Sequence, residues 1–222
     1  MESLLNFAMG PLFRFCFALM VLGLLRRAVI GLYGIRQSMN SVRDSSLRYR
    51  QIFADTLSWV IPIKRLPEAK PVFSAISFGF HIGLIFVPLF LADHYNLWRS
   101  TIDIPWPRLG RAVADIATLL TLCAGGVMLT RRIFIKEVRR ISDLQDYVIL
   151  TLLLCIFLTG YISSRPYNPL SYSTTLLLHT LLGNAALALM PFTKLAHAVL
   201  CPFVRIISIA AWKLPATIGR KS

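Results

Sequence analysis

Residues 73–97 read FSAISFGFHIGLIFVPLFLADHYNL, a stretch in which Asp93 is the single charged side chain. The hydrocarbon core of a membrane is about 30 Å thick, so a helix that crosses it needs roughly 20 mainly apolar residues. This stretch therefore predicts a membrane-spanning helix. It also contains His81 and His94, and ionisable residues inside a membrane are costly and usually functional.

Four further apolar stretches have the same character. Together the five predict spans at about 9–34, 73–97, 112–129, 147–162 and 171–200. Residues 35–71 then form a cytoplasmic connection, and 203–222 an interfacial or cytoplasmic tail. The sequence predicts an all-α integral membrane protein, a bundle of five transmembrane helices in a single membrane domain over residues 1–222.

The composition excludes other classes of protein. Of 222 residues, 56% are hydrophobic and 15% are charged, whereas a soluble domain has about 25% charged residues. A disordered chain is excluded because disorder requires low hydrophobicity and high charge. A soluble enzyme is disfavoured, because too little polar surface is available to cover it. The chain is nevertheless basic, with 24 Lys and Arg against 10 Asp and Glu and a net charge of +14.

The position of the basic residues predicts the orientation of the chain. Nineteen of the 24 lie in the connection after span one, in the connection between spans three and four, and in the C-terminal part. Cytoplasmic loops carry the excess of Lys and Arg, so the N-terminus is predicted outside and the C-terminus in the cytoplasm. Residues 45–63 mix apolar and basic side chains. They predict either an amphipathic docking helix or a solvated basic loop.

All four histidines of the chain lie in spans two and five, namely His81, His94, His179 and His197. These two spans are antiparallel, so His81 lies level with His197 and His94 with His179. At 1.5 Å per residue, the two histidines of one span are about 20 to 27 Å apart. Such distances suit two porphyrins stacked across a bilayer, each bound by an imidazole from either side.

The neighbourhood of the histidines supports this arrangement in part. Gly79, Gly83 and Gly183 would leave room for a macrocycle, although ordinary packing of membrane helices also uses small residues. Eighteen residues make five whole helical turns, so His179 and His197 share a face, whereas thirteen residues do not return His94 to the face of His81. Pro88 between them can kink the helix.

Other chemistry is less well supported. Zinc needs three or four ligands close together. A proton path would need buried carboxylates besides Asp115, which is expected to pair with Arg111 at i,i+4. The four cysteines form no iron–sulfur motif, so any iron–sulfur chemistry is expected on a partner.

The histidine pattern resembles a known family. The run Phe80-His81-Ile82-Gly83-Leu84 followed by Asp93-His94, together with His179 and His197, is similar to the cytochrome b subunit of membrane nitrate reductases, from span one to about Pro202. The wider spacing of His81 and His94, followed by Trp98, looks more like b-type membrane subunits of high-molecular-weight cytochrome c complexes in sulfate reducers. The cytochrome b of heterodisulfide reductase is also similar.

This resemblance implies an electron-transfer, quinone-reactive subunit of a multi-subunit oxidoreductase in a respiratory complex of anaerobes. It has two b haems and a quinone, expected to be menaquinone-type, and no catalytic centre of its own beyond the quinone site. Its partners would be a cytoplasmic iron–sulfur subunit, other membrane subunits and a periplasmic multihaem cytochrome c, but no nucleic acid. The location would be the bacterial cytoplasmic membrane, with several spans.

The resemblance also implies roles for charged residues. A quinone site beside the outer haem, ligated by His94 and His179, would be lined by Asp93, Arg99, Asp103, Arg108 and Arg165. Haem propionates would be held by Arg111, Arg131, Arg132 and Lys194, the last three at the inner haem of His81 and His197. For each of these residues the alternative is an ordinary interfacial or topological charge.

Two other functions remain open from the sequence. The chain is an alternative candidate for a transporter or channel subunit, although it has no internal repeats. It is equally a candidate for a membrane anchor without a cofactor, in which the histidines are packing residues.

Overall fold

The structure is a computed structural model of the chain, and it describes residues 1–42, 50, 54, 71–102, 105 and 107–201. Three predictions fall largely outside these residues: the segment 45–63, apart from Arg50 and Ala54, the quinone role of Asp103, and the tail 203–222. The described residues are mainly helical and form no β-strand.

The first apolar stretch forms a nearly continuous helix that begins earlier than predicted. Helix α1 (Glu2–Phe7) passes through a π-helical turn at Ala8–Leu12 into helix α2 (Phe13–Val42). The turn contains Pro11, which has no N–H to donate to the preceding turn. The side chain of Asn184 donates a hydrogen bond of 2.9 Å to the carbonyl of Ala8 in this turn.

The second apolar stretch forms two helices instead of one. Helix α3 (Pro71–Phe90) ends one residue before helix α4 (Ala92–Ile102) begins. The break at Leu91 follows Pro88 by three residues, and the N–H of Leu109 donates a 2.8 Å hydrogen bond to the carbonyl of Phe90. In a continuous helix this carbonyl would accept a hydrogen bond from the helix itself. The bond from Leu109 replaces it and stabilises the break.

The third and fourth stretches form helices α5 (Arg111–Phe134) and α7 (Leu144–Ser163), joined by the short helix α6 (Lys136–Arg140). Helix α7 begins with a capping box, in which Asp143 is the N-cap and Asp146 the N3 residue. The carboxylate of Asp146 accepts a 3.0 Å hydrogen bond from the N–H of Asp143. Both predicted spans are therefore confirmed, with ends a few residues longer than the apolar runs.

The fifth stretch is shorter than predicted. Helix α8 (Tyr172–Leu189) is followed by two 3-10 turns (Met190–Phe192 and Lys194–Ala196) and by a further helical segment at 197–201. Pro191 lies two residues after the end of α8, and a Cβ on Gly23 of α2 would lie 2.5 Å from its side chain. Proline interrupts helical hydrogen bonding, so the expectation of one straight helix through residue 200 is replaced by a bent chain.

The long helices pack in a row. Helix α3 packs on α5, α5 on α7, α7 on α8, and α8 on α2. Gly83 of α3 lies against the buried hydroxyl of Thr121 in α5, where any Cβ would overlap it. Gly83 therefore serves helix packing, as small residues commonly do in membranes.

Five helices within the described residues are long and apolar enough to cross a membrane, as the sequence predicts: Glu2–Gly34, Pro71–Phe90, Arg111–Phe134, Leu144–Ser163 and Tyr172–Phe192. Many large apolar side chains on them are exposed, among them Phe15, Leu22 and Leu120. Such surfaces are expected on a protein surrounded by lipid. The described part of the chain is thus helical, and its five long apolar helices are consistent with a multi-pass membrane protein.

Candidate functional site

The structure brings His94 of α4 and His179 of α8 together. Their Nε2 atoms are 3.4 Å apart, the ring centres are 5.7 Å apart, and the ring planes differ by only 3°. The difference of 2.3 Å between these two distances is about the diameter of an imidazole ring. The two rings therefore do not stack face to face, and each Nε2 points at the other along the line that joins the ring centres.

The ring of His179 is held in this direction by helix α7. Its Nδ1 lies 2.9 Å from the carbonyl oxygen of Ile156 and 3.4 Å from the hydroxyl of Thr159. A carbonyl only accepts hydrogen bonds, so Nδ1 carries the proton and Nε2 of the neutral ring carries a free lone pair. A Cβ at Gly160 would lie 2.8 Å from Cε1 of this ring, so the missing side chain there allows the ring its position.

The second pair consists of His81 of α3 and His197, which follows the last 3-10 turn. Their ring centres are 5.9 Å apart and the planes are inclined by 67°. Nδ1 of His81 donates to the carbonyl of Ser77 at 2.7 Å, and Nδ1 of His197 donates to the carbonyl of Lys194. In this pair too, the bound Nδ1 leaves Nε2 as the free nitrogen of each ring.

This donor arrangement fits two haem groups. A histidine that binds a metal typically donates its other ring N–H to a backbone carbonyl or a carboxylate, as His81, His179 and His197 do here. An imidazole nitrogen lies about 2 Å from its metal, so two opposed ligands are about 4 Å apart. The 3.4 Å between His94 and His179 is within a small side-chain movement of that value.

The alternative is a direct hydrogen bond between the two imidazoles. Hydrogen bonds donated by N–H are about 2.7 to 3.2 Å long, and the 3.4 Å separation of the Nε2 atoms is longer. Neither α3 nor α4 is among the helices that pack closely on α8 in the described residues. A Cβ at Gly79 or Gly183 would meet no atom within 4 Å, which leaves open space on both helices near the histidines.

Larger ligand groups are absent from the described part of the chain. No three or more His, Cys, Asp or Glu side chains there lie close enough together to hold one metal ion. The histidines are grouped in twos, which suits the two axial positions of a porphyrin iron.

The charged residues proposed for a quinone site have different contacts in the described part of the chain. Asp93, Arg99 and Arg108 are exposed, and the guanidinium of Arg108 lies 5.0 Å above the ring of buried Tyr95. Arg165 instead lies beside α5 and α7. Its guanidinium makes a 2.7 Å ion pair with Asp115 and lies 4.2 Å above the ring of Tyr161.

The expected pairing of Asp115 with Arg111 is wrong. Arg111 lies at the first residue of α5 and donates a hydrogen bond of 2.5 Å to the carbonyl of Ser164. That carbonyl is at the C-terminal end of α7, where carbonyls lack helical partners. Asp115 instead forms an ion pair with Arg165. The two residues are fifty positions apart in the sequence, so this pair cannot be predicted from spacing along one helix.

The loop after α7 also presents two buried donors. Nε of Arg165 and Nδ2 of Asn168 have no hydrogen-bond partner within the described residues. The amide oxygen of Asn168 is used, because it accepts bonds of 3.0 Å from Leu170 and Thr175. Buried donors are normally paired, so this loop can receive an acceptor oxygen. Asn168 is not predicted from the sequence, because nothing in its local pattern distinguishes it from a turn residue.

The cations proposed for the propionates of the His81–His197 site have different surroundings. Arg131 lies 4.2 Å above the ring of Phe73, beside an apolar cavity of about 250 Å³. Arg132 donates to Ser142 at 2.7 Å and lies 3.6 Å from Asp146.

Lys194 lies beyond the last candidate span and is held by acidic residues. Its ammonium bonds to Asp143 and to Asp146. The hydrogen bonds to Asp143 and then to Asp146 raise the pKa of Lys194 above its usual value. Of the proposed propionate ligands, Lys194 and Arg132 thus already form ion pairs with carboxylates of the chain, and Lys194 pairs with two of them.

One relative of the chain has been found among known proteins. No protein-family model matches the sequence. The chain is 30% identical over 198 residues to a protein of Nitratidesulfovibrio vulgaris, described there only as "Protein", and the match covers 87% of each chain. The similarity therefore extends over most of the length of both proteins.

Proposed function

The chain belongs to the same family as this Nitratidesulfovibrio vulgaris protein, and we propose that it is a b-type cytochrome subunit that carries electrons across a membrane. The observation that supports this most strongly is the opposed Nε2 atoms of His94 and His179, with Nδ1 of His179 bonded to the carbonyl of Ile156. The second pair, His81 of α3 and His197, supplies two further imidazoles whose ring centres are 5.9 Å apart.

The side chains of the protein would bind and orient two haems. Haem groups bound by two histidines undergo one-electron oxidation and reduction, with no open position for oxygen. The backbone carbonyls of Ser77, Ile156 and Lys194 would keep each imidazole neutral and aimed. By the distribution of basic residues, the His81–His197 site would lie toward the cytoplasm and the His94–His179 site toward the outside.

A quinone of the menaquinone type would react beside the His94–His179 site. Of the residues proposed for it from the sequence, Arg165 has the strongest support, because its buried Nε is unpaired and its terminal nitrogen contacts Asp115. Nε of Arg165 or Nδ2 of Asn168 would bind a quinone oxygen, and the carboxylate of Asp115 would accept or deliver a proton. The enzyme activity of the subunit would be limited to this quinone site.

The partners would be those of a respiratory complex in a bacterial cytoplasmic membrane. Basic cytoplasmic loops would orient an iron–sulfur subunit, since charge complementarity favours association rate and orientation. A periplasmic multihaem cytochrome c and other membrane subunits would complete the complex. The relative comes from a sulfate reducer, the group of organisms to which the wide histidine spacing pointed.

The test is the assignment of each haem to its histidines. In the purified protein we expect b-type bands in reduced-minus-oxidised spectra, and two low-spin haem signals in electron paramagnetic resonance (EPR) spectra. His94→Ala and His179→Ala should remove the same signal, and His81→Ala and His197→Ala the other. Thr180→Val is a matched control, because the hydroxyl of Thr180 bonds only to its own helix at Leu176 in the contacts described here.

Two results would contradict the proposal. A colourless wild-type protein would favour the alternative of a cofactor-free anchor or transporter subunit. Loss of different haem signals by two variants of one pair would show that the pair does not share a haem.

A further inference from the structure

Both the side-chain ammonium and the backbone N–H of Lys194 contact residues at the beginning of α7. Its ammonium has three donors, and three hydrogen bonds occupy them: 2.8 and 3.1 Å to the two carboxylate oxygens of Asp143, and 2.9 Å to Asp146. Its backbone N–H lies 3.3 Å from the side-chain oxygen of Gln145. The ammonium has no donor left for a haem propionate.

The remaining group of this residue, its carbonyl, accepts the Nδ1–H of His197. The direction of the His197 ring therefore depends on the peptide group of Lys194. His197 is exposed, so packing around its ring is limited among the described residues. The hydrogen bond to Lys194 therefore contributes more to the direction of the ring.

The two acidic partners of Lys194 are held in place by the N-terminal cap of α7. Asp143 and Asp146 form the capping box of α7, so their carboxylates are held at the N-terminal end of the helix, where its dipole favours negative charge. Arg132, at the end of α5, lies 3.6 Å from Asp146. The capping box thus connects the beginning of α7 with the end of α5 and with Lys194.

The segment around His197 also packs against helix α2. Ala196 and Leu200 are buried against Leu24, with Met20 and Ala28 packed around them. The segment that carries His197 is therefore fixed between apolar contacts to α2 and ionic contacts to α7. Because α8 ends at Leu189, these contacts replace the continuous helix that would otherwise position a ligand at residue 197.

We propose that Lys194 is a positioning residue for the His81–His197 site, clamped by the capping box of α7 so that its carbonyl aims the imidazole of His197. This inference rests on the proposed haem function. A hydrogen bond from the ligand's Nδ1–H increases the basicity of the bound imidazole, and such hydrogen bonds are among the features that set haem potentials. Lys194 would act through His197 and not on the propionates.

The experiment compares Lys194→Met and Lys194→Arg with Lys136→Met in the purified full-length protein. Lys136 is an exposed lysine of α6, so its replacement removes the same charge outside the clamp. Potentiometric titration and EPR spectra should show that Lys194→Met changes the potential and signal of one haem alone. Lys194→Arg should restore them in part, and Lys136→Met should match the wild type.

A second, milder variant tests the inference in case Lys194→Met does not fold. Asp143→Asn keeps a good helix cap but weakens the clamp, and it should change the same haem as Lys194→Met by a smaller amount. Wild-type haem properties in both variants would overturn the inference while leaving the two-haem proposal intact.

A wild-type protein without haem would instead refute the proposed function. The clamp itself would then be tested by hydrogen exchange in residues 190–201. Faster exchange in Lys194→Met would support it, and unchanged exchange would refute it.

Discussion

The two ring nitrogens of His179 have different contacts. Nδ1 of His179 donates to the carbonyl of Ile156, and its Nε2 faces Nε2 of His94 at 3.4 Å. The sequence identifies the histidines and their depth, because residue type and position along a span are visible in it. It does not identify Ile156 or Gly160, because their relation to His179 arises from the packing of α7 on α8.

Gly160 offers a test of the His94–His179 site that leaves the ligands unchanged. In Gly160→Ala the new methyl group would lie 2.8 Å from Cε1 of His179, well inside van der Waals contact, so the ring must move. We expect the content to fall from two haems toward one per chain, with loss of the signal assigned to His94 and His179. Haem and protein assays of the purified variant measure this.

Gly126→Ala provides the matched control. A Cβ at Gly126 of α5 meets no atom within 4 Å, so this variant should keep both haems. Equal haem content in the two alanine variants would show that Gly160 does not determine the position of the ring.

At the scale of helices, the sequence identifies the spans better than their interruptions. Hydrophobic runs determine where a helix can cross a membrane, and all five predicted helices are present. The breaks at Leu91 and after Leu189 depend on Pro88 and Pro191 together with outside partners, such as the N–H of Leu109. Those partners lie in other parts of the sequence, so a run of apolar residues alone predicts helices that are too long.

The break at Leu91 lies between His81 of α3 and His94 of α4, the residue that meets His179. On a straight helix, thirteen residues turn His94 about 140° away from His81. Pro88→Leu restores an N–H to the helix and should favour a straighter α3–α4 connection. We expect partial loss or a changed EPR signal of the His94–His179 haem, measured against Ile85→Ala, which replaces another apolar residue of the same helix. An unchanged signal in Pro88→Leu would contradict this role of the bend.

The ion pair between Asp115 and Arg165 connects α5 to the loop after α7. A hydrogen bond to a charged group typically contributes about 1.5 to 3 kcal/mol, and about 1.4 kcal/mol corresponds to a tenfold change in rate. We therefore expect Asp115→Asn and Arg165→Met to slow reduction of the haems by a menaquinol analogue about tenfold. Reduction by dithionite should stay normal, because it needs no quinone site.

Glu137→Gln is the control for this experiment. Glu137 is exposed on α6, away from the loop that carries Arg165. Normal menaquinol reduction in Asp115→Asn and Arg165→Met would place the quinone reaction elsewhere.

At the scale of the whole molecule, the uneven distribution of the 24 Lys and Arg residues determines the predicted orientation. With the N-terminus outside, green fluorescent protein fused to the C-terminus should fluoresce and alkaline phosphatase fused there should be inactive. Fusions within the loop 164–171 should behave in the opposite way. An active phosphatase at the C-terminus would reverse the assignment of the two sites to the two sides of the membrane.

The central claim is that two histidine pairs bind two haems in one chain. The most direct measurement is the ratio of haem b to protein in the purified wild-type chain, by the pyridine haemochrome assay and amino-acid analysis. The account predicts a ratio of two. A ratio of zero, or a ratio of one that does not change in His94→Ala, would contradict it.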